Sequence, residues 1–321
     1  MPKKFVHLHV HSEYSLLDGL SKIKTMLVHV KDHGMDAVAI TDHGVMYGVI
    51  EFYKRANKEG IKPILGMEAY TTNVDLKSRP ERGKFKNNHL LLLAKNKKGY
   101  NNLMKLTSIA HLDGYYYRPR VDRETLAKYS KGLICTSACP QGEIAQALLE
   151  DTFMEAKKIA NWFLDIFGED YYLEVQRHEY EKFLGDAQNQ EIKHELAEQA
   201  EQEKKIIVGV KKLSRSLGIP LIATNDAHYI RLEDAQAQDA LLCIATGKNI
   251  SDIKRLRFID SPTYYIRPPE EMAKLFPELP EALVNTVKIA EKCNVAISLN
   301  KWFFPDYPQE RKTRHKELEE K

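Results

Sequence analysis

Phe5-Val6-His7-Leu8-His9-Val10-His11, followed by Tyr14-Ser15-Leu16-Leu17-Asp18-Gly19, is the stretch on which the reading of this chain turns. As a β-strand, its period of two sends His7, His9 and His11 to one face and Val6, Leu8 and Val10 to the other. Imidazole is the commonest metal-ligating side chain, and a carboxylate, Asp18, follows within a short loop. The competing reading is a polar strand face that happens to carry histidines. Donors elsewhere in the chain weigh against it.

Outward from this stretch the chain alternates between strands and helices. Ser21 is placed to cap a helix from Lys22 to about His33, with Ile23, Met26, Leu27 and Val30 on one face and Gly34 as the stop. Asp36 to Thr41 reads as a buried strand, Tyr47 to Glu59 as its helix ending at Gly60, and Ile61 to Tyr70 as the next strand. His89 to Ala94 is a fourth strand, followed by a helix from Gly99 to about His111. Gly132 to Thr136, Tyr171 to Val175 and Ile219 to Thr224 give three more, and a long Glu- and Lys-laced helix runs from about Asp186 to Leu217. Such alternation predicts a parallel sheet, and about seven units suit a closed or nearly closed barrel. Beyond Tyr229 the expected elements are a helix from Leu232 to Thr246, a short strand from Thr263 to Ile266 and a helix from Pro280 to Asn294. Gln309 to Lys321 is a charged tail.

The bulk properties narrow the function classes. A chain of 321 residues has room for one large domain with an appendage. With 48 basic and 45 acidic side chains, the net charge of +3 provides no general field for nucleic acid. A metal cluster would still supply local positive charge for a phosphate. Cys135, Cys139, Cys243 and Cys293 form no C-x-x-C pair and no secreted disulfide framework. With no signal-like or membrane-spanning apolar run, the expectation is a soluble cytoplasmic protein that needs no membrane.

In parallel barrels functional groups gather where strands end. Strand ends here carry His9, His11 and Asp18; Thr41-Asp42-His43-Gly44; Glu68; Cys139; and Asn225-Asp226-Ala227-His228. Each has a plain alternative. Asp42 or Asp226 reads equally as a turn cap, Cys139 as a small buried hydrophobe, and Glu68 as a solvent-facing residue. His89 stands at the start of its strand, so the strand-end rule does not place it. His7 is assigned a supporting role, orienting a ligand by hydrogen bonding.

About nine N, O and S donors are too many for one ion, because zinc usually takes about four ligands and manganese about six. Two or three metals sharing carboxylates are expected. Such sites characteristically hydrolyse phosphate esters, one ion activating water and its neighbours neutralising the attacked and leaving oxygens.

His9-x-His11, Asp18, Thr41-Asp42-His43-Gly44, Glu68, His89, Cys139 and Asn225-Asp226-Ala227-His228 together resemble the PHP (polymerase and histidinol phosphatase) domain. The phrases Phe5 to Ser15 and Gly60-Ile61-Lys62-Pro63-Ile64-Leu65-Gly66 resemble, more narrowly, the N-terminal region of DnaE-type alpha subunits of bacterial DNA polymerase III. The likeness runs to about Pro308. It implies a distorted (β/α)7 barrel holding a trinuclear cluster of zinc or manganese, with magnesium or iron as alternatives at one position. The ligands it implies are His9, His11, Asp18, His43, Glu68, His89, Cys139, Asp226 and His228. It also implies a division into a phosphoesterase domain over 1–270, a lead-in to a polymerase palm over 271–308, and the tail over 309–321.

The palm carboxylate motif of such subunits is not found here, so the chain is expected to be an N-terminal fragment unable to polymerise DNA. The activity the resemblance implies is 3′–5′ exonuclease proofreading at a DNA 3′ end, with no separate general base and with the rest of the alpha subunit and other replisome subunits as partners. Two alternatives stand beside it: a free-standing phosphatase acting on a small phosphomonoester, and a structural or docking module. A further candidate is the basic loop Lys77 to Lys86, where Arg79, Arg82 and Lys84 could meet a phosphate backbone. A solvated loop is the favoured reading there.

Overall fold

Period-two alternation along the strands sorts the chain into an inside and an outside. The computed structural model describes residues 4–81, 84–299, 301, 302 and 304; the tail expected over 309–321 and Arg82 lie outside them. In chain order the elements are α1 (Ile23–Asp32), β1 (Ala37–Ile40), α2 (Val49–Glu59), β2 (Lys62–Thr72), β3 (Asn87–Ala94), α3 (Lys97–Leu112), β4 (Arg120–Val121), α4 (Arg123–Lys128), β5 (Leu133–Thr136), α5 (Glu143–Leu149), α6 (Phe153–Phe167), β6 (Tyr171–Gln176), α7 (Gln190–Leu217), β7 (Leu221–Thr224), α8 (Ala235–Thr246), α9 (Pro269–Leu275) and α10 (Pro280–Lys292).

The strands form one curled α/β sheet in the order β1-β2-β3-β5-β6-β7, with β4 paired to β2 off that path. Residues 5–11 bridge its two edges. Ala39 N donates to His7 O and Thr41 N to Val10 O on one side, while His11 N donates to Ala227 O and Ala227 N to His9 O on the other. Pairing is parallel except around β3, which runs antiparallel to both β2 and β5. The strict (β/α)7 repeat is therefore not reproduced. The described residues of the 73–86 connection between β2 and β3 hold no helix, and β3 runs antiparallel to β2 as a hairpin arm.

Inside the curl, one row of each strand is apolar. Leu8, Ala39, Ile64, Leu93, Ile134, Tyr172 and Ile222 pack into a single cluster with Ile289 and Ala290 of α10 and with Cys293 at its C-cap. Outward rows such as Val38, Leu65, Leu92, Cys135, Leu173 and Ala223 join the larger cluster beneath the helices. Gly66 sits where a Cβ would come within 2.6 Å of Leu92 O, so the close approach of β2 to β3 requires glycine there.

The helix α10 closes the end at which the parallel strands begin. Thr286 Oγ1 accepts from Val6 N at 3.1 Å and Asn285 Nδ2 donates to Leu221 O at 2.8 Å. Ile289 is fully buried, and truncating it to alanine should cost about 2–5 kcal/mol. Both α9 and α10 share apolar clusters with the rest of the fold, so packing is continuous across residue 270.

Several local readings shift. The helix expected from Ser21 has Lys22 at its N-cap and no side-chain cap of its own. Its first amide, Ile23 N, instead reaches Glu13 Oε1 at 3.3 Å. Gly60 does end α2, in the left-handed conformation at φ 73°. The strand expected over Thr263 to Ile266 reduces to a bridge between Tyr229 and Tyr265. In the basic loop, Arg79 donates to the carbonyls of Leu76, Ser78 and Asp113, while Lys84 pairs with Glu81 at 2.8 Å. Those two cations are engaged within the loop or with its neighbours.

Candidate metal centre

Two pleats along from the apolar inward row, the same inward faces turn polar. On β2 the sequence Ile64, Gly66, Glu68 runs from core to site, and on β7 the row from Ile222 through Thr224 continues to Asp226. On β3 the order is reversed: Leu93 and Leu91 lie deeper and His89 comes first. An antiparallel strand begins where its neighbours end. That places His89 at the site although it starts its strand.

The N-terminal segment departs from simple alternation. Val6 and Leu8 lie in the interior cluster while Phe5 and Val10 lie in the outer one. The backbone bends at His9, so His9 and His11 reach the site and His7 does not share their face. His7 Nε2 meets Arg267 O at 2.9 Å, and its Nδ1 has no hydrogen-bond partner. The orienting role expected of His7 is thus a correction. It falls to Glu174, whose Oε1 lies 2.8 Å from His9 Nδ1, and to Ser15, whose Oγ lies 3.0 Å from His11 Nδ1. With Nδ1 so engaged, each ring presents Nε2 to the centre.

All nine expected donors converge, with Glu68 at their middle. Glu68 Oε1 lies 3.2 Å from His9 Nε2, 3.0 Å from His89 Nδ1 and 3.5 Å from Cys139 Sγ. Its Oε2 lies 2.7 Å from His43 Nδ1 and 3.4 Å from His11 Nε2. Asp226 Oδ1 is 3.1 Å from both His9 Nε2 and His11 Nε2. Asp18 Oδ2 is 2.9 Å from His43 Nε2 and 3.4 Å from His228 Nε2. The side chains of Asp18 and His43, 24% and 16% exposed, mark the solvent-facing side. Asp42 is not among these contacts: it accepts from Ser12 N at 2.7 Å and Ser12 Oγ at 2.9 Å, the turn-cap alternative.

The charge balance is that of a cation site. Burial opposes a charged His9, yet Asp226, Glu68 and Glu174 outweigh it and hold its pKa well above the usual value. Burial likewise opposes a charged Glu68, but His89, His9 and His43 hold it well below the carboxylate range. Burial, with Glu68 and Asp226, pushes the Cys139 thiol well up; a cation beside it would act in the opposite sense. His9 Nε2, His43 Nδ1 and Glu68 Oε2 are buried without hydrogen-bond partners despite these short separations. Their geometry suits a shared central ion better than one another. Among the described residues, three overlapping groups have metal-binding spacing: His11, His43 and His228; His9, His11 and Glu68; and His43, Glu68 and His89. Asp226, within the site, and Ala138, next to Cys139, adopt left-handed backbone at φ 46° and 58°.

The residue that sequence reading missed is Glu174. It is buried, meets His9, and accepts from Thr136 Oγ1 at 2.5 Å, Gln176 Nε2 at 2.9 Å and Thr224 Oγ1. The signal was a lone acid inside the strand Tyr171-Tyr172-Leu173-Glu174-Val175-Gln176.

The fold is α/β and carries a donor set that could hold metal ions, and comparison with known proteins gives the family. The PHP-domain profile matches residues 7–178, and the chain belongs to that family. It is 48% identical over 307 residues to the DNA polymerase III subunit alpha of Borreliella burgdorferi, covering 95% of this chain and 25% of that protein. The counterpart from Helicobacter pylori strain 26695 is 45% identical over 308 residues, covering 92% and 24%, and that from Chlamydia pneumoniae is 37% identical over 327 residues, covering 98% and 26%. The chain thus spans about a quarter of the length of these relatives. Among solved structures, an amidohydrolase from Chromobacterium violaceum aligns with a TM-score of 0.39 at 14% identity, covering 70% of this chain and 87% of that one. No described helix is long and apolar enough to cross a membrane.

Proposed function

We propose that this chain is a metal-dependent phosphoesterase acting on the 3′ end of a DNA strand, as a 3′–5′ exonuclease serving proofreading within a replicative polymerase. The observation that carries this reading is the convergence of five imidazoles, two further carboxylates and one thiol about Glu68. On this reading His9, His11, Asp18, His43, Glu68, His89, Cys139, Asp226 and His228 hold a trinuclear cluster of zinc or manganese. When bound, such ions supply an activated water and neutralise charge on the attacked phosphate.

The chain's own residues position and screen. Glu174 and Ser15 fix the rings of His9 and His11, and the apolar row beneath excludes water from the inner side of the site. Asp18 and His43 stand where a phosphodiester would arrive from solvent. The similarity to DNA polymerase III alpha subunits supports DNA as substrate, the remaining replisome subunits as partners and the cytoplasm as compartment.

Release of a labelled 3′-terminal nucleotide from a single strand tests the proposal, with manganese or zinc present and with His43→Ala as control. Metal-dependent release that the control loses by about a hundredfold or more is expected. A metal-loaded chain that cleaves only a small phosphomonoester would transfer the reading to a phosphatase, and one that cleaves neither would favour a structural module.

A further inference from the structure

A cavity of about 200 Å³ adjoins the centre and shares Cys139 and Asp226 with it. Its walls carry a run of stacked rings: His178 on Tyr264 at 3.9 Å between centroids, and Tyr264 on Phe258 at 4.3 Å. Phe258 in turn meets His228 edge-on at 5.2 Å. Two polar atoms of cavity-lining side chains, His178 Nε2 and Gln176 Oε1, are buried without a hydrogen-bond partner. Such atoms are costly to leave unpaired, so their presence beside a cavity points to a ligand that pairs with them. From α7, Gln199 and Gln202 add amide groups that both donate and accept.

We propose that this cavity is a base subsite, holding the nucleobase of a nucleotide whose phosphate lies at the metal centre. The proposal rests on the phosphoester reading above and adds the place where the base is recognised. Aromatic walls suit a planar ring, the orphaned acceptor and ring nitrogen suit its hydrogen-bonding edge, and the volume is below the roughly 300 Å³ at which pockets for larger ligands begin. A base seated there brings its own phosphate towards Asp226 and Cys139.

Calorimetric titration of the manganese-loaded chain with deoxyadenosine 5′-monophosphate, deoxyribose 5-phosphate and inorganic phosphate separates base from phosphate. The nucleotide is expected to bind about tenfold or more tightly than deoxyribose 5-phosphate, in keeping with the strength of base–aromatic stacking. Phe258→Ala should remove that excess, and Phe258→Tyr, which keeps the ring, should retain it. Equal wild-type affinity for the nucleotide and deoxyribose 5-phosphate overturns the base subsite without relying on any variant, as does an excess that survives Phe258→Ala. Binding of none of the three overturns the phosphoester reading itself.

Discussion

Histidines gather at two places in this molecule. At the centre, His9, His11, His43, His89 and His228 face Asp18, Glu68, Asp226 and Cys139. Below them, His7, His29 and His33 form a second group, with the rings of His29 and His33 4.2 Å apart. Its hydrogen bonds end on main-chain carbonyls: His7 on Arg267, His29 on Ile266 and His33 on His29. Burial disfavours a charged ring in both groups, and at the centre it lowers His11 to about 3, with His43 and His228 adding to it; His7 and His9 nonetheless end on opposite sides of the usual value. Burial lowers the pKa of His7 to about 4, whereas the carboxylates around His9 overcome burial and raise it. On the proposed reading, what separates the centre from the second group is the carboxylates that several strands bring to it.

The contrast breaks most completely at Glu68. Glu68→Gln keeps the side chain's shape and removes the charge that five donors approach, so metal retention after dialysis and any phosphoesterase activity should fall by about a hundredfold or more. The second histidine group should be untouched, which the pH dependence of unfolding would report. Next in size is Glu174→Gln. It leaves all nine donors in place but loses the charged acceptor for His9 Nδ1, and metal affinity should drop by about 10–100-fold, measured by competition with a chelator.

His7→Gln sharpens the other side of the comparison. The folded pKa of His7 lies below the ordinary value of 6.5, so as pH falls the unfolded chain takes up a proton before the folded one does. Stability from this neutral histidine is therefore full above about pH 6.5 and is lost as pH falls towards 4, amounting to about 3 kcal/mol across that window. Denaturant titrations at several pH values should show a shallower acid slope in His7→Gln, with metal content unchanged; loss of metal would place His7 in the site after all. The smallest effect is expected of Ser15→Ala, which removes the Oγ that meets His11 Nδ1 and His43 N. It should cost about 1 kcal/mol of stability by thermal unfolding, with only a modest loss of metal affinity.

Much of this was legible because it is local. Strands such as Leu133–Thr136 and Leu221–Thr224 and the Gly60 stop follow from short-range pattern and backbone freedom. The nine donors were legible as residue types at strand ends and by resemblance to a family. Three features were not, each for a non-local reason. The direction of β3 is set by its connection, so His89 is misplaced by a rule written for parallel strands. A bend at His9 breaks the alternation that had grouped His7 with its neighbours. The role of Glu174 depends on β6 lying across the curl from the N-terminal segment, a contact between residues 165 apart.

The most direct measurement is metal content by elemental analysis of the purified chain after incubation with manganese or zinc and exhaustive dialysis, beside Glu68→Gln treated alike. The account predicts two or three ions per chain in the wild type and a nearly metal-free variant that is still folded. A wild-type chain that is folded and metal-free after the same treatment would contradict it.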